Sequence, residues 1–388
     1  MWKDFFERLA LLRKTGEPFV VATVVKVSGS TYRRPGARVL MTKDGSTTGL
    51  ISGGCFESDL IEKAGKAIEN GKKITLTFDT TLSDDFLFGL GLGCTGVAQI
   101  LLEPFQKLSG QEHLDFIAEC IRNRQKGIMA TVFRVEGESG VSVGSRVMVQ
   151  SGRHHIENIE NLEVVSMLLK ECYAALAAEE SGFRSVHFNN ESCEALIEVI
   201  PLPIPLVIFG AGPDAVPLVT FGKQLGWNVT VVDRRPAFIR PDRFPSADTI
   251  VLSEPADLSK NLVLDSRTVV VLMTHHYETD LNYLKHLLPS PVCYIGLLGP
   301  SAKAEMMLRH LRDEGFPATE EQLSRIYNPV GLDLGAETPD EIALSIVAEI
   351  QAIQTGYPAG FLRERTGPIH PRTPLRIKAG SGRKPDSQ

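Results

Sequence analysis

Apolar positions follow one pattern in the first part of the chain, repeat it, and then change to another. Trp2, Phe5, Phe6, Leu9 and Leu12 recur at helical spacing with Asp4, Glu7 and Arg8 between them, which predicts an opening amphipathic helix. Phe19 to Val27 reads as a strand, Arg38 to Thr42 as a second, and Lys43-Asp44-Gly45 as the turn after it. Asp59 to Glu69 is helical in period, and Ile74 to Phe78 alternates like a strand. With an offset of 108, ATVVKVSGSTYRRPGARVLMT at 22–42 then lies over ATVFRVEGESGVSVGSRVMVQ at 130–150, with 8 identities in 21 positions. The helix that follows also aligns, and ITLTFDT at 74–80 answers RSVHFNN at 184–190 after a two-residue shift. Strands share a valine-rich vocabulary, but matched glycines and the pair Arg38/Arg146 favour a duplication.

After Pro201, Pro203 and Pro205 the pattern becomes short apolar strands separated by helical stretches: Leu206–Phe209, Asn228–Val232, Val269–Met273 and Tyr294–Leu298. Such alternation predicts a parallel sheet. Thr338-Pro339-Asp340-Glu341 is a capping box that starts a last helix over 341–352. The expected fold class is α/β, a C-terminal Rossmann-like parallel sheet preceded by a duplicated α/β region. The expected blocks are 1–105, a degenerate second copy over 106–200, a dinucleotide-binding domain over 201–355, and a mobile tail over 356–388, rich in Gly, Pro, Arg and Lys.

The copies differ where chemistry is expected. The first carries Ser52-Gly53-Gly54-Cys55 before its helix; the second has Glu160-Asn161-Leu162-Glu163. The first also has a long insertion, DTTLSDDFLFGLGLGCTG at 79–96, which the second shortens to NNESCEA. Shared residues are scaffold by this comparison, and residues private to the first copy are site candidates. Arg38 recurs and reads as scaffold, whereas Arg33 and Arg34 do not recur and are candidates for a phosphate.

The 388 residues carry a formal charge of −6, which argues against nucleic acid binding through bulk charge. No apolar run approaches a membrane span, the N-terminus does not read as a signal peptide, and six scattered cysteines without a CxxC pair give neither a disulfide framework nor a structural zinc site. A cytoplasmic location is expected.

The strongest local signal is LVIFGAGPDAVPLVTFGKQLGWNVTVVD, beginning at Leu206. Gly210-Ala211-Gly212-Pro213-Asp214-Ala215 is GxGxxA between a strand and a helix, and Asp233 lies 21 residues after Gly212, where a carboxylate is expected to meet a ribose diol. Arg234 and Arg235 could meet a 2′-phosphate or form a solvated charged turn, and the turn is the favoured reading. His275, His276, Glu278 and Asp280 follow another strand; they read as ligand contacts, with metal binding as the weaker alternative and a helix start capped by Thr274 or Thr279 as the structural one. Lys303, after Gly299-Pro300-Ser301, marks a further candidate anion site.

At this point the chain resembles the XdhC/CoxI accessory proteins of molybdenum hydroxylases such as xanthine dehydrogenase. The resemblance is carried by VATVVKVSGSTYRRPGARVLM with GLISGGCFESDLIEKA, by DFLFGLGLGCTGVAQILLEP, and by the stretches VIFGAGPDAVPL, VVDRRPAFI, MTHHYETDLNYL, YIGLLGPSAKAEMM and NPVGLDLGAETPDEIALSIVAEI. It implies a cofactor-binding maturation factor rather than an enzyme with its own turnover: one that binds the molybdenum cofactor in its mono- or dinucleotide form, protects it, and helps deliver its sulfurated form to a client hydroxylase, in some relatives with a cysteine desulfurase. Gly53, Gly54 and Cys55 match the family's GGC motif, and Gly91, Gly93 and Cys94 its second glycine–cysteine motif, although Thr95-Gly96 stands where many relatives have two glycines. A thiolate suits a soft metal, and a cysteine at a helix N-terminus favours thiolate, so Cys55 is the candidate molybdenum contact. Cys120, Cys172, Cys193 and Cys293 read as structural. Cys55 and Cys94 are expected to share a cleft with the Gly212 loop, between domains or between subunits of a homodimer. The alternatives are an NAD(P)-dependent oxidoreductase, for which His275 or His276 is the acid–base candidate, and a redox sensor pairing Cys55 with Cys94.

Overall fold

A computed structural model describes residues 2–29, 31–53, 57–79, 96–106, 109–137 and 140–366. The chain divides into two compact units, Met1–Leu202 and Pro203–Gln388.

The first unit holds two five-stranded antiparallel sheets of the same design. One contains β1 (Phe19–Gly29), β2 (Arg38–Thr42), β3 (Thr47–Gly49), β4 (Ile74–Asp79) and β5 (Gly96–Phe105), in the order β3-β2-β1-β5-β4. The other contains β6 (Gly127–Glu136), β7 (Val141–Gln150), β8 (Arg153–Ile159), β9 (Gly182–Phe188) and β10 (Glu191–Val199), in the order β8-β7-β6-β10-β9. Registers repeat at the offset of 108: Phe19 faces Thr42 and Gly127 faces Gln150; Thr23 faces Arg38 and Thr131 faces Arg146. The bulge between Val24 and Lys26 recurs between Val132 and Arg134.

The helices repeat too. Phe5, Leu9 and Leu12 of α1 (Trp2–Thr15) are buried at positions matched by His113, Ile117 and Cys120 of α3 (Glu112–Asn123). Leu60, Ala64 and Ala67 of α2 (Glu57–Asn70) are matched by Leu168, Cys172 and Ala175 of α4 (Leu162–Ala178). The two-residue shift expected at β4 is not needed. Ile74 pairs with Leu102 and Gly182 with Ile197, while Leu102 and Ile197 themselves face Ala22 and Ala130. Backbone pairing fixes a register that side-chain likeness had misjudged.

Each sheet packs its own helix, α2 or α4, on one face. The other faces meet, and the contact is reciprocal. Val25 and Leu101 from one sheet join Phe133 and Leu196, their counterparts, in a shared buried cluster. Arg38 donates to Glu198 through Nη1 at 2.8 Å and Nη2 at 2.5 Å, and Arg146 donates to Glu103. Glu103 and Glu198 are counterparts as well, facing Val21 and Met129. Both guanidiniums also reach a glycine carbonyl, Gly36 for Arg38 and Gly144 for Arg146. The unit therefore has the form of a symmetric dimer joined into one chain, with exchanged ion pairs at its centre.

His113 stands where the first copy has Phe5. It is 1% exposed, and neither ring nitrogen has a hydrogen-bond partner. Glu103 lies 3.9 Å from its Nε2, too far for a hydrogen bond. Burial, then the nearby Arg146, Arg38, Lys73 and Arg13, hold its pKa well below the usual value of 6.5. The native state thus refuses a proton that the unfolded chain accepts, so stability is retained above that value and falls by about 1.4 kcal/mol per pH unit below it. His113→Phe is expected to remove this loss; urea denaturation at pH 7 and pH 5.5 checks it, and equal acid sensitivity of parent and variant counts against it.

The second unit is a six-stranded parallel sheet: β11 (Pro205–Phe209), β12 (Asn228–Asp233), β13 (Thr249–Leu252), β14 (Val269–Leu272), β15 (Tyr294–Leu297) and β16 (Ile326–Tyr327), in the order β13-β12-β11-β14-β15-β16. This is the 3-2-1-4-5-6 order of a Rossmann sheet, with the topological switch between β11 and β14. Helices α5 (Ala215–Gln224) and α10 (Pro339–Thr355) cover one face. Helices α7 (Tyr277–Leu287) and α8 (Ser301–Asp313) cover the other, and α6 (Leu258–Asn261) and α9 (Glu320–Leu323) are single turns. Thr338 and Glu341 form the expected capping box. The tail beyond residue 366 lies outside the described residues.

Candidate functional site

The candidate residues are divided between the two units. In the first, Gly54, Cys55, Gly91, Gly93 and Cys94 lie outside the described residues. The described approach to them is informative. Helix α2 begins at Glu57, two positions beyond Cys55. A Cβ added at Gly53 would lie 3.6 Å from the ring of Tyr32, so the segment carrying Tyr32, Arg33 and Arg34 meets the segment leading into the GGC motif. Tyr32 is 53% exposed and Arg34 is exposed. Sequence reasoning passes over Tyr32; its position beside two arginines private to the first copy is the available signal. Arg38 is buried and paired with Glu198, as scaffold.

Cys120, Cys172 and Cys193 are buried in apolar clusters on separate elements. Burial pushes their thiols up to about 12, about 12 and about 11. They are packing residues, and no group of three or more His, Cys, Asp or Glu converges for a metal among the described residues.

In the second unit the glycine loop lies at the switch point, as its fingerprint requires. Its details depart from expectation. Asp233 is 3% exposed, and its carboxylate accepts from Ala211 N–H at 2.8 Å, from Arg235 N–H at 2.9 Å, and from Arg235 Nε and Nη2 at 2.9 and 2.7 Å. Burial raises its pKa, but the Arg235 side chain and these N–H groups more than offset that and leave it below the usual carboxylate range. Its acceptors are thus already taken up inside the protein. Arg235 is not a solvated turn residue; it clamps Asp233 and lies 3.8 Å above the Phe238 ring.

Asp214, an unassigned position of the fingerprint, proves to matter. Its Oδ2 meets His275 Nε2 at 2.6 Å, tying the β11 loop to the β14 loop across the switch point. His275 adopts φ +58°, a left-handed conformation uncommon for a side-chain-bearing residue. A Cβ on Gly212 would lie 2.5 Å from Asp214 Oδ1 and 4.0 Å from His275 Cδ2, so the pair stands over the space this glycine leaves open. Asp214 Oδ1 is itself buried without a partner. A buried, unpaired acceptor suits a hydrogen-bond donor and opposes a bare pyrophosphate.

The remaining expected cluster disperses. His276, not a threonine, caps α7, its Nδ1 accepting from Thr279 N–H at 3.3 Å. Asp280 is 1% exposed and accepts from Thr274 Oγ1 and Lys303 Nζ, both at 2.6 Å. Lys303 is therefore committed to an internal pair rather than offered to an anion.

Similarity to known proteins follows the same two-part layout. The XdhC and CoxI family matches residues 12–79, and the XdhC Rossmann domain matches residues 206–350. A Bacillus subtilis protein named as a probable subunit of xanthine dehydrogenase is 30% identical over 352 residues, 91% of this chain and 97% of its own length. The chain belongs to the XdhC and CoxI family. A crystal structure described as a xanthine dehydrogenase from Bacillus halodurans shares the fold with a TM-score of 0.73 and 31% identity, covering 92% of this chain and 97% of that one. The Escherichia coli molybdenum cofactor insertion chaperone PaoD is 21% identical over 340 residues, 88% of this chain and 85% of its own. No helix among the described residues of this family member is long and apolar enough to cross a membrane.

Proposed function

We propose that this XdhC and CoxI family protein is a maturation factor that binds the molybdenum cofactor, protects it, and assists its sulfuration and insertion into a xanthine dehydrogenase-type hydroxylase. The observation that carries this reading is the 21% identity to an insertion chaperone over 88% of this chain, in a protein whose Cys120, Cys172 and Cys193 are buried packing residues. The described part of the first-unit site fits a flat, phosphate-bearing ligand. Tyr32 offers an exposed ring, Arg34 a guanidinium, and Gly53 backbone without a side chain. Cys55 and Cys94 are assigned as the thiols of that site, with Cys55 as the molybdenum contact. When bound, the cofactor supplies a soft metal centre, for which a thiolate is the matching protein ligand. The chain's own task is to hold that centre and keep water and oxidants from it. The NAD(P)-dependent reading finds less support, because Asp233 is consumed by Arg235 and Asp214 stands in the glycine loop. A homodimer and a desulfurase partner belong to the proposal as assembly and sulfur source.

The test is anaerobic co-purification from a cofactor-producing host, with molybdenum analysis and pterin fluorescence after oxidation. Cys55→Ala should leave folding intact and abolish molybdenum retention. Tyr32→Ala should weaken pterin binding by about tenfold, since base–ring stacking contributes about 1–3 kcal/mol. A Cys55→Ala protein that retains the metal and matures the client normally ends the assignment.

A further inference from the structure

The two helix layers on the Rossmann sheet differ on the sides turned away from it. On α7 and α8 those sides carry Glu278, Asn282, His286, Glu305, Arg309 and Arg312, all exposed, as expected of helices that face water. On α5 the inner side buries Ala215, Leu218 and Val219, and the outer side is apolar as well: Val216, Pro217 and Phe221, with Thr220 and Gln224 as its polar positions. Lys223, the only charged residue of α5, is held by Asp248 at 2.6 Å. On α10, Leu344, Ala348, Gln351 and Thr355 share one side at helical spacing, and Leu344 is 49% exposed. Beyond Glu341 that helix has one charged residue, Glu349, which accepts from Gly331 N–H and the Tyr294 hydroxyl. A helix that is apolar on every side is one that the folded protein covers. Between α5 and α10 runs a groove of about 540 Å³, with Val216 and Phe221 in its walls and three prolines, Pro213, Pro217 and Pro339, that fix its backbone.

Two features bear on the cover. The first is charge. Arg243 and Asp340 also line the groove, and neither has an ion-pair partner among the described residues. The Arg243 guanidinium has the Phe238 carbonyl at 3.4 Å and the Phe238 and Phe244 rings beside it. Apolar walls with one unpaired cation and one unpaired anion are complementary to their own copy turned about a two-fold axis, which brings each Arg243 to Asp340 of the partner subunit. The second is permanence. An apolar face needs its cover whenever the chain is folded, which suits a partner made with it and opposes a client that must be released; obligate interfaces are the more apolar class. Side by side, helices of 10 and 17 residues present about 400–500 Å² per copy, and the Arg243 loop brings a pair close to the ~1,000 Å² of a specific interface.

We propose that the α5–α10 face is a two-fold interface between two copies of this chain, apolar at its centre and closed by reciprocal Arg243–Asp340 pairs. Resting on the homodimer in the function proposed above, this gives that dimer its surface.

The experiment is sedimentation velocity of the full-length protein over a concentration series. The parent should sediment as a dimer. Thr220→Glu and Leu344→Glu, at exposed positions and checked for folding by circular dichroism, should each weaken dimerisation by about tenfold or more. Arg243→Glu and Asp340→Arg should each weaken it by about tenfold, because each variant sets like charges against each other twice across the axis. Mixing these two variants should restore the parent's affinity, because both contacts of the mixed pair again join opposite charges. A monomeric parent overturns the proposal, and protection of α5 from hydrogen exchange in that monomer would assign its cover to the chain itself. A dimer that the folded variants leave unchanged lies on another surface and overturns it equally, as does a mixture that stays weak. Molybdenum analysis of the same preparations separates the two readings. Metal held by a monomeric parent removes the interface and leaves the maturation role; a dimer of this surface without metal keeps the interface and removes the carrier.

Discussion

Arg38→Ala is expected to destabilise the first unit by about 3–5 kcal/mol, the cost of leaving a buried charge without its partner. Arg38 is 6% exposed and Glu198 4%, and the guanidinium supplies two hydrogen bonds to that carboxylate. Removing it leaves Glu198 in a protein interior with no other cation in contact with it among the described residues. The mirrored site behaves differently. Glu103 also faces Lys73 at 3.2 Å, and Glu157, which Arg146 approaches at 3.7 Å, has its pKa raised by burial and can take a proton. Arg146→Ala should therefore cost less than Arg38→Ala although the two residues are structural counterparts. Urea denaturation of both variants measures the order. The double variant Arg38→Met/Glu198→Leu should recover most of the loss, because a buried pair replaced by apolar side chains of similar size is often neutral. Equal costs at the two sites, or no recovery in the double variant, would show that the pairs do not act as separate buried charges.

The same pairs show what was legible in the chain and what was not. The repeat could be read because Gly36, Arg38, Gly144 and Arg146 lie in or beside strands of matching register, and their recurrence correctly marked scaffold. Their acidic partners could not be found that way. Glu103 and Glu198 stand 95 apart rather than 108, because the first copy lengthens the connection between β4 and β5. Reciprocity is a property of the packed faces, not of either copy alone. In the Rossmann unit, strand periodicity, the glycine spacing and the capping box located the elements and the loop. Spacing places Asp233 at the end of β12, but it says nothing of Arg235 folding back to occupy its carboxylate two residues later. The charge at Asp214 was visible within the fingerprint, yet its partner His275 comes from a loop 61 residues away. Local rules find elements, and contacts across strand ends decide which side chains stay free for a ligand.

Gly210→Ala is expected to cost more than about 3 kcal/mol and to compromise folding of the Rossmann unit, whereas Gly212→Ala should leave it folded. Gly210 adopts φ +119°, and a Cβ there would lie 2.4 Å from the Met273 carbonyl oxygen and 2.9 Å from Thr274 Cα. Those are backbone atoms at the end of β14, the strand paired with β11, and Gly210 N–H is itself held by Val232 O at 2.8 Å. Relief would require parting strands at the centre of the sheet. At Gly212 the obstacle is the Asp214 carboxylate, a side chain that can turn away. The expected price there is the Asp214–His275 contact rather than the fold. In a Trp2→Phe background the buried Trp227 reports on this unit alone, so thermal unfolding followed by its fluorescence reads the first effect. The ring resonances of His275 read the second. A Gly210→Ala protein as stable as its parent would mean that the loop has room the backbone geometry denies. An unshifted His275 in folded Gly212→Ala would mean that the pair does not stand over the glycine.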